Sequence, residues 1–298
     1  MQSLSFYNTL YPLINMHKRL LCLLLLAGLL TNHIFAQPFI TTKGKNIIGA
    51  DGKPFLLKGT NLGNWLVPEG YMFLFQDVSS PRLINQTLTE LLGPDEMKIF
   101  WKKYLEVYIT EADIHYLKKT GMNSIRIPFN YRLFTNENYM GGNDSTRGFK
   151  YLDRVISWCK KEKLYVLLDM HCAPGGQTGD NIDDGDGYPF LFDNQQSQQL
   201  CVNIWKRIAA HYKNETIIIG YDLLNEPIAH YFDKVHFNPL LEPLYKQMTR
   251  AIRQVDKNHL LFLGVLNGIP TLSPLALHST VSWYIRFINT GRHPPVKW

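Results

Sequence analysis

An α/β fold, a (β/α)8 barrel with about the first five strand–helix units present, is predicted by three features of this sequence. From Gln37 onward, strand-like apolar runs alternate with segments of helical apolar spacing. The runs are apolar on both faces, as parallel strands covered by helices are. None of them opens into a Gly-x-Gly-x-x-Gly turn, which favours a barrel over a dinucleotide-binding sheet. At 298 residues and 45% hydrophobic content, one large core is the expectation.

The elements follow in order. Ile47-Ile48, the turn Ala50-Asp51-Gly52-Lys53 and Phe55–Gly59 read as a hairpin feeding the first core strand. Thr110 to Thr120 reads as a helix, with Thr110 as N-cap and Gly121 as its stop. Ser124–Phe129 is the second strand. Gly148 to Lys163 is a helix, with Leu152, Val155, Ile156 and Cys159 at helical spacing. Leu164–Met170 is the third strand, Ser197 to Tyr212 a helix, and Ile217–Leu224 the fourth strand. Leu240 to Asp256 is a helix and Leu260–Gly264 the fifth strand.

The flanks read differently. Met16-His17-Lys18-Arg19, the apolar run Leu20 to Leu30 and a small residue at Ala36 have the order of a secretory leader, so residues 1–36 are set apart. The apolar run is too short to span a bilayer; a retained N-terminal anchor is the alternative. The formal charge is +6, but Lys18, Arg19, Arg286, Arg292 and Lys297 lie in the flanking segments. The domain between them is close to neutral, which gives no reason to expect nucleic acid or an anionic surface as partner. Cys159, Cys172 and Cys201 have no metal-binding spacing and read as buried thiols, although one bridge is possible.

Barrel chemistry sits at the carboxyl ends of the strands, and polar residues collect there. Strand one ends in Asn61-Leu62-Gly63-Asn64-Trp65. Strand two carries Arg126 and ends in Asn130-Tyr131. Strand three ends in Asp169-Met170-His171, and strand four in Asn225-Glu226-Pro227. Each admits a plainer role: Trp65 as core filler, Arg126 paired with a structural carboxylate, His171 as a satisfied buried histidine, Asn-Glu-Pro as a capped turn. Four such endings at successive strands argue for one functional rim. There Glu226 suits a general acid held in a partly apolar, partly charged pocket. Asn225 suits a hydrogen bond to a sugar hydroxyl, and Trp65 a stacking face. Arg126 and His171 suit ordering of the pocket. Asp180, Asp183, Asp184 and Asp186 lack the ligand order of a calcium loop and read as a solvated loop shaping the cleft. No metal or other cofactor is expected.

At these residues the chain resembles glycoside hydrolase family 5. Gly59–Leu66 resembles the family's first-strand motif, particularly of its exo-β-1,3-glucanase-like branch, and Arg126-Ile127-Pro128 its second. Asp169–Gln177 is similar to the third-strand motif and Leu224-Asn225-Glu226-Pro227 to the fourth. The resemblance covers about residues 45 to 264. It implies a metal-free barrel acting on β-linked glucans, mannans and related chains with retention, through two glutamates about 5 Å apart. Glu226 would be the acid/base, with Arg126, His171, Asn225, Trp65 and Asn61 binding or supporting.

The departure lies downstream. The family's nucleophile and a preceding His-Tyr pair belong to later strands, whereas residues 265–298 contain no acidic residue and no clear strand–helix periodicity. That tail reads as non-native, as a one-base frame shift near Gly264-Val265 would produce. The expected domain is therefore residues 37–264, an incomplete barrel with unpaired sheet edges and little or no hydrolysis. A non-catalytic carbohydrate-binding barrel is the competing function. A metal-dependent barrel hydrolase is disfavoured by the lack of a His-x-His or Glu-x-x-His pair.

Overall fold

The computed structural model describes residues 38–264 and the backbone of Ser282 and Trp283. The leader read at 1–36 and most of the tail read at 265–298 lie outside the described residues.

The chain opens with a hairpin, β1 (Thr41–Lys43) and β2 (Asn46–Ile48), paired antiparallel with Thr41 opposite Ile48. The Asp-Gly reversal follows as expected: Gly49 N donates to Lys53 O at 2.8 Å, and Ile48 bridges Pro54. Phe55 to Lys58, however, joins no sheet. The first barrel strand is the short β3 (Gly59–Asn61). Three-residue strands carry too little alternation to be seen in sequence, which is why β1 was not anticipated.

Beyond it run β4 (Ser124–Asn130), β5 (Tyr165–Cys172), β6 (Ile218–Asp222), β7 (Leu260–Phe262) and β8 (Ser282–Trp283). Together with β3 they form one six-stranded sheet in sequential order, with every pair parallel. Strand β8 lies in the segment read as having no clear strand–helix periodicity, and at two residues it is too short to show one. Pro128 inside β4 has no N–H for a ladder, and it falls beyond the point where β3 stops, with Asn61 opposite Arg126.

Among the described residues, six α-helices accompany the strands: α1 (Pro81–Leu92), α2 (Pro94–Val107), α3 (Glu111–Lys119), α4 (Arg147–Glu162), α5 (Gln195–Tyr212) and α6 (Lys234–Arg253). The first two were unread. Both begin on a proline, a residue suited to the first helical position, and Ser80 caps α1 by accepting from Leu83 N. Helix α6 begins six residues before the predicted start. Pro239 and Pro243 lie within it, and a proline pair ordinarily argues for a helix boundary. Asp233 nonetheless caps it through Val235 N at 2.8 Å.

Strand alternation sorts the side chains. Ile125, Ile127 and Phe129 of β4 and Val166, Leu168 and Met170 of β5 point to the helices and join the large core around Trp205 and Tyr245. The opposite face holds Leu167, Ile219, Leu260 and Phe262, with Ile40, just before the opening hairpin, and Ile47 of its second strand beside them. This second cluster forms the apolar floor beneath the polar residues of the rim.

Helix α3 starts as read. Asp113 accepts from both N and Oγ1 of Thr110 at 2.7 Å. Asp113→Ala is expected to cost about 1 kcal/mol, read as a lower urea midpoint with an unchanged m-value.

Candidate functional site

The inward positions of β4, β5 and β6 bring Arg126, Asp169, His171 and Asp222 together. Arg126 donates to Asp222 Oδ2 from Nε at 3.0 Å and from Nη2 at 2.8 Å, and to Asn225 Oδ1 at 3.0 Å. The same Nη2 lies 2.9 Å from Asp169 Oδ1. Asp169 Oδ2 lies 2.7 Å from His171 Nδ1, and His171 Nε2 lies 3.5 Å from the Asn225 side-chain nitrogen. The plainer reading of Arg126 is thus realised twice over, since it neutralises two carboxylates while still reaching Asn225.

These groups sit out of water, and their ionisation shows it. Burial, with Asp169 beside it, pushes Asp222 up to about 7 against the pull of Arg126. Burial opposes charge on His171, but the Asp169 carboxylate outweighs it and raises the imidazole.

Glu69 was missed. It follows Trp65 by four residues in the strand-one segment. Asn64 at φ 57° turns the chain and accepts from Glu69 N at 2.9 Å. Glu69 Oε1 comes within 4.0 Å of His171 Nε2. Burial raises the Glu69 carboxyl, His171 opposes this, and the charges of Glu226 and Asp169 add to the rise. Neighbouring Tyr71 is largely exposed, and its phenol is raised by partial desolvation and by the charges of Glu69 and Glu226. The available signal was an acid one turn beyond a strand end that already held Asn61 and Asn64.

Two expectations are corrected. Trp65 offers no stacking face: it is wholly buried, its Nε1 donates to Leu105 O at 3.2 Å, and Tyr151 and Arg154 pack on its ring. Its large apolar surface is taken by the helices outside the strands. Nor is the acidic loop solvated throughout. Asp183 accepts from the N–H groups of Thr178, Gly179 and Gly185 at 2.7 to 2.8 Å, and Asp184 from Arg82 N and Asn130 Nδ2, with Arg132 paired to it. Both are buried because backbone amides and one guanidinium replace water; only Asp186 is exposed.

Asn61 is exposed on β3, in register with Arg126. Asn225 is buried. Glu226 is exposed at φ 41°, not walled in as a pocket acid would be, and its carbonyl accepts from Thr178 Oγ1 at 3.0 Å. Arg126, His171, Asn225, Glu69 and Glu226 therefore share one rim. Cys159, Cys172 and Cys201 are free and buried.

A family model described as "Cellulase (glycosyl hydrolase family 5)" matches residues 85–277. A beta-xylosidase of Phanerodontia chrysosporium is 35% identical over 227 residues, 76% of this chain and 46% of that protein. A glucan 1,3-beta-glucosidase of Candida oleophila is 32% identical over 221 residues, 69% of this chain and 50% of that protein. The chain thus spans about half the length of these curated relatives. The crystal structure of a rutinosidase from Aspergillus niger superposes with a TM-score of 0.61 at 19% identity, over 72% of this chain and 64% of that chain. That likeness is one of fold, and it supports the barrel.

Two outcomes follow from the Arg126 cluster. Arg126→Ala leaves Asp169 and Asp222 facing each other and should cost about 3–5 kcal/mol in denaturant unfolding. The raised Asp222 and His171 bind protons more tightly folded than unfolded, so their contribution to stability declines as pH rises. For Asp222 the decline runs from about 4 to about 7; for His171 it continues above 6.5. Asp222→Asn should flatten the fall in unfolding midpoint over that window.

Proposed function

The chain belongs to the cellulase family, glycosyl hydrolase family 5, and from that premise we propose that its rim is the acid/base half of a retaining β-glycosidase site. The observation that carries this reading is Glu226 at the carboxyl end of β6, on the turn next to an Asn225 that Arg126 holds. Glu226 would protonate the glycosidic oxygen as the bond to the leaving sugar breaks. It would then take a proton from the water that releases the glycosyl-enzyme. Being exposed, its carboxyl can meet a polymer from solvent.

The remaining side chains divide the work. Asn225, with its oxygen committed to Arg126, presents its amide nitrogen toward His171 and the opening, where a sugar hydroxyl can accept from it. Glu69 lies across His171 from Asp169 and suits a hydroxyl donor. Asn61 adds a polar group level with Arg126. Arg126 and His171 keep the acids apart and oriented. The substrate is a β-linked glucan or related chain, in keeping with relatives whose names include a glucan 1,3-beta-glucosidase and a beta-xylosidase. Export through residues 1–36 fits a polymeric substrate met outside the cell.

The attacking carboxylate of such a mechanism stands about 5 Å from the acid. The family resemblance places it on a later strand, and residues 265–298 hold no Asp or Glu. We read it as lying outside this sequence. For the chain as given, the alternative is a barrel that binds β-glycans without cleaving them.

The full chain is expected to release little or no sugar from β-1,3- and β-1,4-glucans, yet to bind β-linked oligosaccharides, with Asn225→Ala weakening binding at least about tenfold. Calorimetry and reducing-end assays read the two arms. Clear turnover would overturn the missing-carboxylate reading. In that case Glu226→Gln must lower kcat/KM by about 10²- to 10⁴-fold, or the acid/base role is wrong as well.

A further inference from the structure

The turn that carries Glu226 is held in a conformation its own residues disfavour. Glu226 at φ 41° and Ile228 at φ 61° both lie in the left-handed region, on either side of Pro227. For a β-branched residue this region is a steric outlier. Such strain persists only where the surroundings over-determine it.

Those surroundings are two consecutive residues of the loop after β5. Gln177 Nε2 donates to Asn225 O and to His171 O, each at 2.8 Å, while its Oε1 accepts from Ala173 N at 2.9 Å. Thr178 Oγ1 donates to Glu226 O at 3.0 Å. In return, Ile228 N donates to Gln177 O and Ala229 N to Thr178 O, both at 2.8 Å. Pro227 has no N–H to satisfy. Both side chains are buried, so no water substitutes for these bonds.

The clamp is itself anchored. Gly176 and Gly179 take φ near +76°, and Asp183 accepts from the N–H groups of Thr178 and Gly179. On the other side of the turn, Gly264 leaves room for Pro227: a Cβ there would stand 3.0 Å from Pro227 Cδ.

We propose that Gln177 and Thr178 are positioning residues that lock the Asn225–Glu226 backbone so that Glu226 and Asn225 face the opening shared with Arg126 and His171. Because the Gln177 amide bridges the carbonyls of His171 and Asn225, the ends of β5 and β6 move as one unit. The catalytic consequence rests on the glycosidase reading; the clamp itself does not.

The test is amide hydrogen exchange on the full chain, without substrate. Thr178→Val removes one donor, and Gln177→Glu removes two while keeping an acceptor for Ala173 N. Each should speed exchange at Ile228 and Ala229 at least tenfold and leave β4 and β5 protected. Thr178→Ser, which retains the hydroxyl, should restore the wild-type rates. Unchanged rates in both variants, no rescue by serine, or an equal loss of protection through β4 and β5 would overturn the proposal. In parallel, Thr178→Val should weaken binding of a β-1,3-linked oligosaccharide at least threefold and Thr178→Ser should not. If the wild-type chain binds no sugar, the glycosidase reading fails and the exchange result still decides the clamp.

Discussion

Two buried carboxylates share one guanidinium at the centre of the rim, and the other polar groups are arranged around that fact. Asp169 and Asp222 come from adjacent strands, in register with each other, and would repel at this depth. Arg126, from the strand on the far side of β5, answers both. Charges removed from water are tolerated only when paired and hydrogen-bonded. Once Arg126 is committed, Asn225 receives its third contact and His171 takes the remaining oxygen of Asp169. The orientation of Asn225 and His171 thus follows from the need to neutralise two buried acids.

This network requires a rigid floor. Leu167, Ile219, Leu260 and Phe262 supply it one layer below, from the inward positions of β5, β6 and β7. Alternation along β5 is the clearest case: Leu167, Asp169 and His171 rise on one face from apolar floor to buried ion pair to the opening, while Val166, Leu168 and Met170 face the helices. One strand of eight residues therefore contributes to the core, the electrostatic centre and the site.

Much of this was legible in the sequence. The strands β4 to β7 and the helices α3 to α5 announce themselves by long apolar runs or amphipathic spacing, and Arg126, His171, Asn225 and Glu226 by their places at strand ends. What escaped reading did so for identifiable reasons. Strands β1 and β3 are too short for alternation to show. Helices α1 and α6 begin on, or contain, prolines that locally argue for turns. Glu69 lies on an irregular segment shaped by the left-handed Asn64, so no periodicity directs it inward. Trp65 was misplaced because an aromatic residue just past a strand can turn to either side of the wall. Here the helix side, with Leu105, Tyr151 and Arg154, claims it. Asp222 was read only as part of a strand, since a lone acid in an apolar run does not reveal that Arg126 faces it.

The contrast between Glu226 and the other rim acids carries the functional argument furthest. Asp169 and Asp222 are fixed by side-chain partners, and Glu69 is enclosed. Glu226 is fixed through its backbone instead: Thr178 holds its carbonyl, Gln177 holds the carbonyl before it, and the side chain stands in solvent. In the acid/base role proposed for it, Glu226 could not spend its carboxyl oxygens on permanent ion pairs, yet would have to stay in place to within a fraction of an ångström. Fixing the peptide and sparing the carboxyl meets both demands. It also places the conformational cost where it can be borne, in a turn whose neighbours leave it no alternative.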